Sequence, residues 1–322
     1  MPDAPTSDDG SMAAVLACPS CRAALTPEQS GTRRCPRCGA TYRRDGGIWG
    51  LMAEGRQDAF REFVAQYETV RAAEGRRVQR RDHLQALPYR DVSRKRTYEW
   101  AVRSRSFRSL LRGVVQPLER QAREPLRILD LGSGLGWLAY RLALRGHQVA
   151  AVDLLTNDFD GLGVHRHYDC AFSSLLAEFD RLPLCDRSIA LVIYNASFHY
   201  AADYASTLGE ALRVLRPRGR IVIMDSPIYR DPSSGAQMVQ ERENDFERRY
   251  GFRGNILHSE GYLTYERLAA LERQLGLRWE FIEPWYGLRW WLKPQMARLR
   301  GSREPARFKL VVGRPLGEWG KE

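Results

Sequence analysis

From residue 126 onward, short apolar runs alternate with stretches of helical spacing, and no other feature restricts the fold as much. Runs at 127–131, 148–154, 175–179, 188–196, 220–225, 277–282 and 308–312 read as strands, and 136–145, 203–215 and 264–275 read as helices between them. Near-continuous apolar strands are buried on both faces, and helical crossovers join strands that run parallel. The expected domain is α/β, a doubly wound, Rossmann-like sheet of seven strands. A chain of 322 residues also has room for a smaller module beside it.

The first strand runs into Asp130-Leu131-Gly132-Ser133-Gly134-Leu135-Gly136, and a helical pattern opens directly after it. A glycine turn in that context bends sharply and lets a ligand approach without a Cβ in the way. Its spacing separates the possible ligands. The dinucleotide fingerprint places its third glycine three residues after the second. Here the third follows after two, with an acid two residues before the first. Asp153 ends the next strand, where a carboxylate can accept from both hydroxyls of an adenosine ribose.

These residues resemble the class I S-adenosylmethionine (SAM)-dependent methyltransferases, and the type 11 group in particular. Asp130 to Gly136 match that family's first motif, which implies that Asp130, Gly132, Ser133, Gly134 and Gly136 pass under the methionine part of the cofactor. Asp153, followed by Leu154, matches the ribose acid. The segment 178–184 is similar to the border of the adenine, so Glu178 would accept from the exocyclic amine and Phe179 would flank the ring; many members carry Asp at the first of these positions. Residues 188–196 and then Ser197-Phe198-His199-Tyr200 look like the fourth strand and its active-site end, which brings Asn195 to the cofactor. The stretch 212–220 resembles the turn before the fifth strand, with Arg218 where the family often has glycine. The likeness spans about residues 97–315 and implies SAM as cofactor.

Methyl transfer from a sulfonium is an in-line displacement that needs no metal, so alignment can supply most of the acceleration. A base is required only where the nucleophile holds its proton firmly. His199 is the candidate base, just past the fourth strand at the carboxyl edge of the sheet, with an ordinary pKa of about 6.5. It could equally only line the pocket. Asn195, Ser197 and Tyr200 are the polar alternatives. Substrate walls are expected from Tyr98, Trp100, Arg103 and Arg105, from 225–229, and from 285–294. Four aromatics within seven residues of that last segment, beside arginine and lysine, could stack on a planar substrate, touch a membrane surface or form a lid.

Cys18-Pro19-Ser20-Cys21 and Cys35-Pro36-Arg37-Cys38 are two C-x-x-C knuckles separated by 13 residues. Zinc takes four ligands in a tetrahedron, and each knuckle offers it two thiolates. Disulfides are the weaker reading without a secretion signal, and a redox pair needs one knuckle on a βαβ frame. Because all four positions are cysteine, the site is expected to be structural zinc. With Ala40-Thr41-Tyr42 and 45–51, the stretch resembles zinc-ribbon proteins and domains that accompany some methyltransferases. Cys170 and Cys185 read as packing thiols.

The formal net charge is +11, but only four of the 50 basic residues are lysine, a skew that more often reflects codon usage in a GC-rich genome than selection for phosphate contacts. Residues 51–127 hold 18 basic and 10 acidic side chains, a platform for an anionic partner or a solvated helical face. The expected acceptor is a small hydrophobic or aromatic molecule. Ribosomal or transfer RNA is the alternative, although Asn195-Ala196-Ser197-Phe198 stands where exocyclic-amine methyltransferases carry Asn/Asp-Pro-Pro-Tyr/Phe. A non-catalytic SAM-binding or zinc-ribbon partner protein is the second alternative. Expected boundaries are a ribbon at 1–50 with a frayed start at 1–17, a helical linker or lid at 51–120, and the SAM domain at 121–322 with an aromatic insertion at 284–304. No apolar run reaches the roughly 18 residues of a membrane span, and 12–17 is too short for a signal core, so a cytoplasmic protein with peripheral membrane contact left open is expected. No sequence signal fixes an oligomeric state.

Overall fold

The computed structural model describes residues 12–77, 80–252, 254 and 256–316. Three short antiparallel strands come first: β1 (Thr32–Arg34), β2 (Thr41–Asp45) and β3 (Ile48–Gly50). Helices α1 (Arg56–Ala59), α2 (Arg61–Ala73), α3 (Arg81–Ala86), α4 (Thr97–Leu110) and α5 (Gln116–Gln121) follow, the last two joined by a π-turn at Leu111–Val115. The α/β part begins with β4 (Arg127–Leu131), α6 (Trp137–Ala143), β5 (Gln148–Asp153), β6 (Ser173–Leu176), β7 (Ile189–Asn195), α7 (Tyr204–Val214) and β8 (Leu215–Met224). It continues with β9 (Ile228–Tyr229), α8 (Pro232–Tyr250), β10 (Leu263–Thr264), α9 (Tyr265–Leu275), β11 (Leu277–Ile282), α10 (Leu288–Trp291), α11 (Lys293–Leu299) and β12 (Leu310–Pro315).

Seven strands form the sheet that the apolar runs predict, in the order β6-β5-β4-β7-β8-β12-β11, with β12 antiparallel to both neighbours. This is the seven-stranded, doubly wound sheet expected from the sequence. Within it β5 alternates: Val149 and Ala151 enter one core with α4, α5 and α6, while Ala150 and Val152 enter the other with α7 and α9. Each fully buried Val or Leu contributes roughly 1.5–3 kcal/mol. The order turns at β4 and β7, since β5 and β6 extend the sheet one way and β8 the other. Loops leaving the carboxyl ends of strands diverge at such a point and open a crevice.

The ribbon is not a separate bead. Strand β3 pairs in parallel with β6, Trp49 opposite Leu175, so the described sheet has ten strands. The frayed start expected at 1–17 is corrected for residues 12–17. Met12 and Leu16 are buried, Ala17 N–H donates to the Pro183 carbonyl at 2.9 Å, and Cys185 N–H donates to the Val15 carbonyl at 2.9 Å. Their partners lie some 170 residues away in sequence, so six residues alone could not reveal them. Residues 1–11 lie outside the described residues. Strand β6 ends at Leu176, earlier than the expected 175–179, which leaves Glu178 and Phe179 in the loop at its carboxyl end. No helix among the described residues is long and apolar enough to cross a membrane.

Candidate functional site

The glycine turn lies at the switch point of the sheet. Gly132, Gly134 and Gly136 hold φ angles of 70°, 50° and 68°, which side-chain-bearing residues rarely adopt. A Cβ on Gly132 would collide with Ser197 Cβ, and one on Gly136 would press on Phe172 at 3.0 Å. Gly134 differs: the nearest atom to its ideal Cβ is the Asp160 carbonyl oxygen at 4.0 Å. It faces space that the protein leaves open. Cavities of about 240 and 210 Å³ adjoin it, and both touch Gly132, Gly134 and Ala196.

Two of the carboxylates expected to grip a cofactor, Asp153 and Glu178, line the smaller of these cavities. Asp153 Oδ2 accepts from Gly134 N–H at 2.7 Å and Oδ1 accepts from Leu155 N–H at 2.9 Å, so the second strand fixes the loop of the first. Leu154 lines the smaller cavity, as do Glu178 and Phe179. Phe179 packs edge-on to Tyr194 with ring centres 5.7 Å apart. Glu178 is nearly buried and receives Arg56 of α1, Nη2 to Oε2 at 2.5 Å. Both oxygens of Asp130, Ser133 Oγ and Asn195 Oδ1 are buried without a hydrogen-bond partner in the protein. Burial pushes the Asp130 carboxyl up to about 8, and the negative Asp153 adds to the shift. Buried polar groups are normally partnered, so such a cluster asks for a ligand that brings donors. The ammonium and hydroxyl groups of SAM are of that kind, and the residues fit it.

A third cavity, about 640 Å³, opens beside the first two. Phe63 and Tyr67 of α2, Tyr98 of α4, Phe246 of α8 and Trp290 of α10 wall it, with Arg103 and Arg242 among them. Ala196 lines all three cavities, and its N–H donates to the Met224 carbonyl at 2.9 Å. Asp225 therefore stands one residue from the wall that all three cavities share. Its backbone is in the left-handed region at φ 52°. Its Oδ1 accepts from Ser106 Oγ at 2.6 Å, Ser106 Oγ lies 2.8 Å from the Tyr286 hydroxyl, and Oδ2 is buried without a partner. Burial raises its pKa.

His199 lines the large cavity too, with Nδ1 3.2 Å from Ser226 Oγ. Burial, helped by the charge of Arg242, pushes its pKa down to about 3, so the ring is neutral. Tyr200 packs on it at 4.3 Å and edge-on to Tyr67 at 6.1 Å. Of the expected walls, Tyr98 and Arg103 reach the large cavity. Trp100 is buried edge-on to Trp137 on the loop side, and Arg105 instead donates to the Tyr286 carbonyl. Arg71 and Asp160 carry no motif and were missed. Arg71 stands one turn past Tyr67 on α2, at the border of all three cavities, where it grips Asp160.

In the ribbon the four thiol sulfurs of Cys18, Cys21, Cys35 and Cys38 lie within 4.8 Å of one another, with Cys18–Cys38 at 3.6 Å and Cys21–Cys35 at 3.3 Å. A tetrahedron with Zn–S bonds of about 2.3 Å has edges of about 3.8 Å, so this donor set suits zinc. The Tyr42 hydroxyl sits 3.1 Å from Cys18 Sγ.

Residues 129–223 match a family model described as a methyltransferase domain. An uncharacterized methyltransferase of Mycobacterium tuberculosis is 39% identical over 95 residues, 30% of this chain and 37% of that protein. A malonyl-[acyl-carrier protein] O-methyltransferase of Hahella chejuensis is 30% identical over 164 residues, 50% of this chain and 54% of that protein. The chain thus spans about half or less of the length of these relatives. The crystal structure of the YcgJ protein of Bacillus subtilis is 15% identical and covers 66% of this chain and 99% of its own, with a TM-score of 0.46.

Proposed function

We propose that this chain, whose residues 129–223 are a methyltransferase domain, moves the methyl group of SAM to a small hydrophobic or aromatic acceptor. One observation carries the reading. Open space over Gly134, with the partnerless Ser133 and Asn195 in its lining, shares the wall at Ala196 with a large aromatic cavity. When bound, SAM supplies an electrophilic methyl on a sulfonium. Asp153 holds the ribose, Asp130 and Asn195 face the methionine end, and Glu178 with Phe179 borders the adenine. Tyr67, Tyr200 and the other rings exclude water and orient a flat acceptor, which is most of what the displacement requires. Where the acceptor must lose a proton, Asp225 is better placed than His199. Its raised pKa and free Oδ2 suit proton uptake, whereas a histidine pushed to about 3 holds protons poorly. Cys18, Cys21, Cys35 and Cys38 hold a zinc ion that has no open position for chemistry.

Calorimetric titration with SAM, followed by labelled-methyl transfer into fractionated cell extract, tests this. Saturable binding and label in a small-molecule fraction are expected. Gly134→Arg, which fills the open space with side chain, should abolish the binding; unchanged affinity in that variant would sink the assignment, and label confined to RNA would overturn the acceptor class.

A further inference from the structure

Eleven large hydrophobic side chains are exposed among the described residues, and six of them fall in one stretch: Trp285, Leu288, Trp291, Leu292, Met296 and Leu299. Trp285 is 66% exposed and Leu299 88%. From Leu288 to Leu299 they recur at intervals of one, three and four along α10 and α11, so one side of this helical pair is apolar and faces water. Soluble proteins rarely leave such a patch uncovered without a partner for it.

Charge says which partner. Residues 284–303 contain Arg289, Lys293, Arg298, Arg300 and Arg303 and no acidic residue at all. Of these, Arg289, Arg298 and Arg300 are exposed. A second copy of the chain would bring two wholly basic segments face to face, because a twofold contact uses the same patch twice. An anionic lipid surface accepts both halves of the pattern, apolar side chains at the acyl boundary and cations at the phosphates. We propose that residues 285–300 dock on an anionic bilayer surface, with Trp285, Trp291 and Leu299 inserted and Arg289, Arg298 and Arg300 on the headgroups.

The inner side of the same stretch faces the acceptor space. Trp290 lines the large cavity, and Lys293 Nζ caps its ring at 3.8 Å. A membrane-dissolved acceptor would thus enter beside the docked helices, a consequence that rests on the methyl-transfer reading; the docking does not.

Co-sedimentation of the full chain with vesicles tests it, comparing phosphatidylcholine that contains phosphatidylglycerol with phosphatidylcholine alone. The chain should partition to the anionic vesicles, and both Trp285→Ser/Leu299→Ser and Arg298→Glu/Arg300→Glu should lower that partition by about tenfold or more. Melting temperature and SAM affinity should not change in either variant, which separates a lost surface from a lost fold. Equal, weak partition to both vesicle types would overturn the proposal, as would variants that sediment like the parent. A dimer in solution that Trp285→Ser/Leu299→Ser dissolves would assign the face to a second copy instead. Failure of the parent chain to bind SAM would remove the methyl-transfer reading and leave the docking result standing.

Discussion

Arg71 on α2 grips Asp160 in the loop after β5 with both arms of its guanidinium, Nη2 to Oδ1 at 2.6 Å and Nε to Oδ2. Asp160 is 2% exposed, so a helix outside the sheet is latched to the glycine-turn side by a desolvated ion pair. Breaking such a pair strands a buried charge and costs roughly 3–5 kcal/mol. Arg71→Met should lower the melting temperature and weaken SAM binding by about tenfold, since Arg71 also borders both cavities at the glycine turn. Adding Asp160→Asn removes the stranded charge and should restore much of the stability without restoring SAM affinity. Recovery of both together would show that the latch acts through folding alone.

Asp130 should make stability fall as pH rises. Its carboxyl titrates near 8 in the fold, whereas an unfolded chain's Asp titrates near 3.9. Between those values the folded state holds a proton that the unfolded state has released, so this group's contribution to stability falls as pH rises. Asp130→Asn should flatten that slope in the cofactor-free protein and leave it more stable than the parent at about pH 9, while SAM affinity drops. Urea unfolding at about pH 6 and 9 measures the slope, and an unaltered slope would mean that another group carries it.

His199 has the opposite sign. With a folded pKa of about 3 against about 6.5 unfolded, it is neutral in the fold while the unfolded chain takes up a proton. Its contribution is complete above about pH 6.5 and drains as pH falls toward 3, by at most about 1.4 kcal/mol per pH unit. The same depression bears on catalysis. The profile of kcat/KM should show no limb that His199→Gln removes near neutrality, while an acid limb above the ordinary carboxylate range should vanish in Asp225→Asn. A limb near 6.5 lost in His199→Gln would return the base to histidine.

Sequence reading succeeded where burial imposes a local period. Strands β4 and β11 occupy the residues expected, because a run such as Ile128-Leu129-Asp130-Leu131, buried throughout, admits few other structures. It failed where the partner is remote or the surface polar. Helix α8 was not foreseen: only Ser234 and Gly235 are buried in its 19 residues, so it has no apolar stripe to read. Its ends were legible, since Asp231 caps the Ser233 N–H, Pro232 opens the first turn and Gly251 closes the last in the left-handed region. At the site, glycines and acids in a fixed order were readable as a motif. The free oxygen of Asp225 was not, because it depends on a left-handed backbone and on Ser106, 119 residues away.

Metal removal should unfold more than the ribbon. Cys18, Cys35, Leu25, Tyr42 and Trp49 belong to the same core as Leu129, Val152 and Tyr194 at the centre of the sheet, and β3 closes the edge of β6 through Trp49 and Leu175. A domain's total stability is about 5–15 kcal/mol, and structural zinc supplies an apparent 10–16 kcal/mol in finger peptides, so the sheet edge has no reserve to absorb its loss. The ribbon itself has little apolar material to fold on. Cys35→Ser, or chelation of the parent chain, should therefore lower the midpoint of a single cooperative transition followed by far-UV dichroism, rather than melt a small separate unit first. Mass spectrometry under native conditions should find one zinc per chain, as four thiolates in a tetrahedron require. A biphasic melt, with the main transition unmoved by chelator, would show that the ribbon rides on the sheet without supporting it.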